Sequence, residues 1–158
     1  PTKRALGYAL VERYASGDRA LLEVTLRQVE AQTDDPAEQL IACLRAFEDA
    51  ARRDRSLAQP GCLFVSFVYE QIPDTDGIRP LIVEAIEHWR RRIADKLAEV
   101  RDAGRLAKDV DLDSLADHVF TTFEGAFVLA RATGDATHVP AQLAHLRRYI
   151  ELLVEWPE

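Results

Sequence analysis

Four histidines, two cysteines and a run of three arginines are the residues of this chain with the most chemical potential, and their spacing supports little of it. His88, His118, His138 and His145 do not cluster. A di-iron centre in a helical bundle needs Glu-x-x-His pairs, and none occurs. Asp135 and His138 have a comparable spacing but fall in the turn after Gly134, where surface exposure is expected. His118 and His145 would meet only if the last two helices pack together, and a hydrogen-bonded interface histidine explains them better than a metal site. Arg90-Arg91-Arg92 beside Trp89 reads as a solvated helix face pairing with nearby acids rather than a phosphate site. There is no Gly-rich phosphate loop, HExxH, CxxC or nucleophile elbow. Cys43 and Cys62 lack metal-ligand spacing, and two reduced thiols are the expected state. The expectation is therefore a non-enzyme without cofactor or metal.

The aromatic residues say more. Phe47, Phe64, Phe67, Tyr69, Trp89, Phe120, Phe123 and Phe127 come from four different predicted helices. Core packing accounts for any one of them. Together they predict a mostly apolar pocket for a small molecule, bordered by Phe47, Phe64, Phe67, Trp89, Phe120, Phe123 and Phe127. Tyr69, Glu70, Ser66 or His88 would serve as its polar anchor.

Composition bounds the partners. The chain has 158 residues, 47% hydrophobic and 30% charged, which suits one globular domain. Its net charge of −7 and pI near 5.1 argue against direct binding to nucleic acid or an anionic membrane, because phosphate contacts need a basic surface. No apolar run approaches the roughly 20 residues of a membrane span, and no basic-then-apolar leader opens the sequence, so a cytoplasmic location is expected. The sequence opens on Pro1 inside a helix-start pattern and contains no methionine, which points to part of a longer chain.

The elements that must position these side chains are all helical by pattern. Thr2 is the N-cap candidate of a first helix with Leu6, Ala9, Leu10, Tyr14, Leu21, Val24 and Val29 on its apolar face, continuing through Ser16-Gly17-Asp18. Asp35-Pro36-Ala37-Glu38 starts a second helix, which buries Leu40, Ile41, Leu44, Phe47 and Ala51. GCLFVSFVYEQI has strand propensity. With no second strand candidate to pair with it, a short helix buried on most sides is the reading that satisfies its backbone. After the turn cluster at 73–77, a long amphipathic helix carries Ile78, Leu81, Ile82, Ala85, Ile86, Trp89, Ile93, Leu97 and Val100 toward Gly104.

Asp111 to Gly134 organises the rest. Leu112, Leu115, Ala116, Val119, Phe120, Phe123, Ala126, Phe127 and Ala130 make one wide apolar stripe. His118, Thr121, Thr122, Gly125, Val128 and Leu129 make a second, smoother one. Gly125 costs about 1 kcal/mol inside a helix, which close approach of another backbone would offset. Val139 to Trp156 is the last helix, with Leu143, Leu146, Ile150 and Leu153 on one stripe and Tyr149, Leu152 and Trp156 on the next. Two-sided burial of both helices suits contact with a second copy through His118, Thr122, Gly125, Leu129, Leu146, Tyr149, Ile150 and Leu153. The fold class is all-α, a single domain of about six helices over residues 1–158.

With these elements in place, the chain resembles the C-terminal regulatory domain of TetR-family transcriptional regulators. PTKRALGYALVERYA is similar to the junction where the family's Phe-Pro-Ser/Thr-Lys pattern ends the helix-turn-helix and the fourth helix begins. GCLFVSFVYE is similar to the family's short sixth helix, and EGAFVLARATGD with AQLAHLRRYIELL to its last two. The resemblance implies a homodimer joined by a four-helix bundle of those last helices, and a small apolar or amphipathic effector held among the middle helices. Operator DNA would be bound only through an N-terminal head absent from this chain, and Lys3 would carry over the family's phosphate contact. Two rivals stand beside it: a helical protein-protein adaptor using the Gly125 face, and a cofactor-free enzyme in the apolar pocket.

Overall fold

A computed structural model describes residues 2–54, 61–69 and 77–156. Among them lie six helices: α1 (Lys3–Glu30), α2 (Pro36–Arg53), α3 (Leu63–Tyr69), α4 (Ile78–Asp102), α5 (Leu112–Thr133) and α6 (His138–Leu153). The fold is all-helical, as the sequence pattern predicts.

Local signals set most boundaries. Thr2 caps α1 by accepting from the Ala5 amide at 3.1 Å. Asp35 caps α2, accepting from the Ala37 amide at 2.8 Å, and Pro36 at the first position has no amide to orphan. The capping box is displaced, since Glu38 accepts from the Thr33 hydroxyl at 2.7 Å and that hydroxyl in turn accepts from the Asp35 amide at 3.2 Å. Asp111 caps α5 through the Ser114 amide at 3.1 Å, and Gly134 ends that helix at φ +71°. Asp35 also accepts from Arg105 at 2.7 Å, joining the start of α2 to the α4–α5 loop. Replacing Asp35 with alanine should therefore cost about 1–2 kcal/mol in urea unfolding. A loss below a few tenths would mean that Thr33 alone caps the helix.

α1 is one unbroken helix, but its buried face differs from the predicted one. Val11, Ala15, Leu22, Leu26 and Val29 are buried, whereas Leu6 is 68% and Leu21 55% exposed, with Leu10 and Val24 also outward. The sequence carries adjacent apolar pairs, Leu10-Val11 and Leu21-Leu22, so two stripes about 100° apart fit the period equally well. α3 is helical rather than extended, yet only Phe64 is fully buried and Val68 and Tyr69 are exposed, so burial on most sides is corrected. α6 ends at Leu153 instead of Trp156. Val154 turns extended and forms an isolated antiparallel bridge with Leu106, and the Glu155 amide donates to the Arg105 carbonyl at 2.9 Å.

Two apolar clusters result. The larger joins the C-terminal half of α1 to α2, α4, α5 and α6. The smaller joins the N-terminal half of α1, through Val11 and Ala15, to Cys62, Phe64, Ile78, Ile82 and Ala85. Polar ties fasten the first cluster. Lys96, only 1% exposed, donates to Glu30 at 2.9 Å, Gln39 at 2.9 Å and Glu99 at 2.6 Å, which satisfies all three ammonium protons. Glu48 on α2 accepts from Arg147 on α6 at 2.8 Å and from Arg52 at 2.6 Å.

Candidate functional site

The predicted aromatic pocket is divided between the two clusters. Phe47 on α2, Trp89 on α4 and Phe123 on α5 form a closed triangle with centroid separations of 5.3, 5.6 and 5.8 Å. Edge-to-face geometry between Phe47 and Phe123, at 87°, is what ring quadrupoles prefer. Phe120 is partly buried against the same cluster. Phe64 lies in the other cluster, edge-on to Tyr14 at 4.9 Å, with Phe67 partly buried beside it. Phe127 packs against both clusters and so marks the seam between them.

The predicted polar anchors do not serve that seam. Tyr69 is 77% exposed. The Ser66 hydroxyl donates to the Cys62 carbonyl at 3.2 Å, a bond back along its own helix. His88 pairs with Glu23 on α1 at 3.0 Å, and Arg92 donates to the same carboxylate at 2.8 Å. Glu70 falls outside the described residues.

Other groups take that place. The Trp89 indole donates to Asp18 at 2.6 Å, linking α4 to the middle of α1. Burial pushes the Asp18 carboxyl up from its ordinary range, and the indole bond only partly offsets this. Cys62 stands just ahead of α3, beside Glu124 of α5 and the backbone at Phe64 and Val65. Tyr14 lies beside Cys62 and Asp18, and burial first, then those two groups, push its hydroxyl up. Burial pushes the Cys62 thiol up to about 12, so it is no nucleophile at neutral pH. Glu124 on α5 is pushed up to about 7, first by burial and then by the negative charge of Asp18, against the thiol bond that lowers it. Its Oε2 is buried without a hydrogen-bond partner. Sequence reading gave Tyr14, Asp18, Cys62 and Glu124 no part in the pocket. Glu124 had a signal, as the one charge inside the apolar run FTTFEGAFVLA, while Asp18 was read only as a helix interruption.

The outer face of α5 and α6 holds part of the second predicted set. His118, Gly125, Leu129 and Tyr149 are exposed, and Thr122 and Leu153 partly so. The His118 ring stacks edge-on against Tyr149 at 5.5 Å. Thr122 donates back to the His118 carbonyl at 2.8 Å, which leaves the helix surface smooth. A groove of about 540 Å³ runs between the two helices past Val110, Leu115, His118, Tyr149 and Leu153. Leu146 and Ile150 are corrections, because both are buried in this chain's own core and present nothing to a second copy. A second groove, of about 480 Å³, lies between α1 and α2 and is lined by mixed polar side chains such as Gln28, Arg45 and Asp49. Lys3 is exposed at the first position of α1. Among the described residues, no three of His, Cys, Asp and Glu are grouped to hold a metal, and no helix is long and apolar enough to cross a membrane.

Comparison with known proteins follows the same architecture. Residues 36–146 match a family model described as tetracyclin repressor-like, C-terminal domain. The transcriptional regulator AcuR of Cereibacter sphaeroides is 30% identical over 131 residues, which cover 82% of this chain and 57% of that protein. The chain thus spans little more than half of that relative's length. Among solved structures, the regulatory protein TetR from Rhodobacter sphaeroides superposes with a TM-score of 0.74 at 25% identity, over 98% of this chain and 77% of that one. A TetR transcriptional regulator from Chloroflexus aurantiacus gives 0.69 at 25% identity, over 90% and 71%.

Proposed function

Since the chain belongs to the TetR family of transcriptional regulators, we propose that it is the effector-binding and dimerisation part of a repressor, in which a small apolar or amphipathic ligand at the aromatic seam releases operator DNA. The observation that carries this reading is the bond between Trp89 and Asp18, which ties the seam to the middle of α1. A DNA-reading head would join at the N-terminus of that helix, next to Lys3. The domain's charge of −7 leaves phosphate contact to that head. The two heads of a dimer would read major grooves about 34–36 Å apart, so moving α1 changes their fit to DNA. A ligand does this only through its difference in affinity between the two arrangements, typically about 1–3 kcal/mol.

Dimerisation is assigned to the face of α5 and α6 around Gly125. A Cβ built on Gly125 meets nothing within 4 Å in its own chain, so no intrachain contact accounts for a glycine at mid-helix. Exposed Val128, Leu129, Tyr149 and Leu152 surround that face. The expected result of Gly125→Arg is a monomer by light scattering, with the circular dichroism of the parent and no binding to a palindromic operator in the full-length protein. An unchanged dimer would move the interface elsewhere. A monomeric parent, or retardation of DNA by residues 1–158 alone, would overturn the reading.

A further inference from the structure

Resting on that effector reading, we propose that the ligand taken at the seam is a small organic cation, an ammonium or amidinium group on an apolar body, with its charge held between Asp18 and Glu124. The apolar body would lie against Trp89, Phe123 and Phe127.

Four separate elements bring polar groups to one apolar place: Tyr14 and Asp18 from α1, Cys62 from the approach to α3, Trp89 from α4 and Glu124 from α5. The donors and acceptors among them do not balance. The Trp89 indole satisfies one oxygen of Asp18, but Glu124 Oε2 is buried with no donor. The cations that act on Asp18 are committed elsewhere, since Arg19 donates to Glu84 at 2.8 Å and His88 pairs with Glu23 at 3.0 Å, and Arg131 of α5 reaches toward Gly61. A bare carboxylate in such a place is costly, and a ligand that supplies N–H donors with positive charge removes the cost. Aromatic faces add to this, because a cation near the face of an indole or phenyl ring is attracted by its quadrupole. An anionic ligand would meet the two carboxyl groups of Asp18 and Glu124. A neutral ligand without a donor would leave Oε2 as it is.

Charge recognition has a pH signature. The groups that act on Glu124 are Cys62 and, from α1, Asp18, which is acted on in turn by Arg19 of α1 and His88 of α4 and lies beside Tyr14. Cys62 and Tyr14 stay protonated through the neutral range, so the titration that matters there is that of Glu124. The cation binds the ionised carboxylate and sends its proton to solvent. Affinity should accordingly rise about tenfold per pH unit below about pH 7 and level off above it.

The test titrates the full-length protein with benzylammonium, benzyl alcohol and benzoate by calorimetry, in two buffers of different ionisation enthalpy. Benzylammonium is expected to bind at least about tenfold more tightly than either analogue and to release close to one proton below neutral pH. Glu124→Gln, isosteric and checked for folding by circular dichroism, should lose both the preference and the proton release. Tighter binding of benzoate or benzyl alcohol, or benzylammonium binding indifferent to pH and to Glu124→Gln, would overturn the cation assignment. Operator release measured alongside separates the two readings. Release by benzyl alcohol or benzoate keeps the effector reading and sinks only the cation. Failure of all three to bind removes the cation, and the effector reading falls with it only if a wider panel of apolar compounds also leaves the operator bound.

Discussion

Phe47→Ala should lower the unfolding free energy by about 3–5 kcal/mol, the largest loss expected of any single truncation in the aromatic interior. The Phe47 ring is buried and touches Trp89 and Phe123 at the same time, so removing it strips two aromatic contacts and leaves a void between three helices. Phe47→Leu keeps most of the volume and should cost closer to about 1 kcal/mol. Urea unfolding followed by far-UV circular dichroism measures both. The result also separates two pictures of the site. A loss below about 1 kcal/mol would mean that Phe47 borders space already open to a ligand, whereas the full loss makes the triangle packed core and leaves the seam near Glu124 as the place for binding.

The second large effect belongs to Glu124 and appears as a dependence on pH. Its folded pKa, about 7, lies above the ordinary 4.5, so the folded state favours the protonated acid. That contribution is fully present below about pH 4.5 and is lost as the pH rises through about 7. Glu124→Gln removes the loss. The variant should match the parent near pH 4 and exceed it at pH 8 by on the order of 2 kcal/mol, a figure already reduced because the side chain is only partly buried. Asp35 and Glu48 act in the opposite sense. Their hydrogen bonds, from the Ala37 amide and Arg105 and from Arg147 and Arg52 respectively, outweigh burial and hold them below the ordinary carboxylate range, so their stabilisation fades only as the pH falls through those lowered values. Melting temperatures from pH 3 to 9 give both limbs. Parallel profiles for parent and variant would show that the Glu124 carboxyl is solvated.

What could be read from the sequence was what local rules govern. Asp35-Pro36, Asp111 and Gly134 announce helix ends because capping depends on neighbours within one turn. The helical state of α3 followed by elimination, from the absence of any strand to pair with it. The face of α1 did not follow, because Leu10-Val11 and Leu21-Leu22 offer two stripes and only packing against α2, α3 and α4 selects one. Nor did the end of α6, since the bridge of Val154 to Leu106 is a tertiary contact across the chain. At the candidate site, the rings were identified by type, but their division into two clusters and the carboxyl groups between them depend on which helices meet. Lys96 shows the same limit. It stands among the charged residues of α4, and nothing in its neighbours marks it as the one that turns inward.

The attachments along α1 make that helix a lever with a fixed end. Beyond Asp18 it is held by Glu23 to His88 and Arg92 and by Glu30 to Lys96. From Asp18 back to Lys3 it runs for 15 residues, an arm of roughly 22 Å at 1.5 Å per residue that rides on the smaller cluster through Val11 and Ala15. A swivel of about 5° at the Trp89 bond would sweep the start of such an arm through about 2 Å, by simple trigonometry on that length. Two arms swung apart would part their ends by about 4 Å, more than the roughly 3.4 Å between successive base pairs. The gearing lies in where Asp18 sits along the helix: under the proposed function, a swivel there carries Val11 and Ala15, and with them the Phe64, Ile78 and Ile82 side chains they pack against.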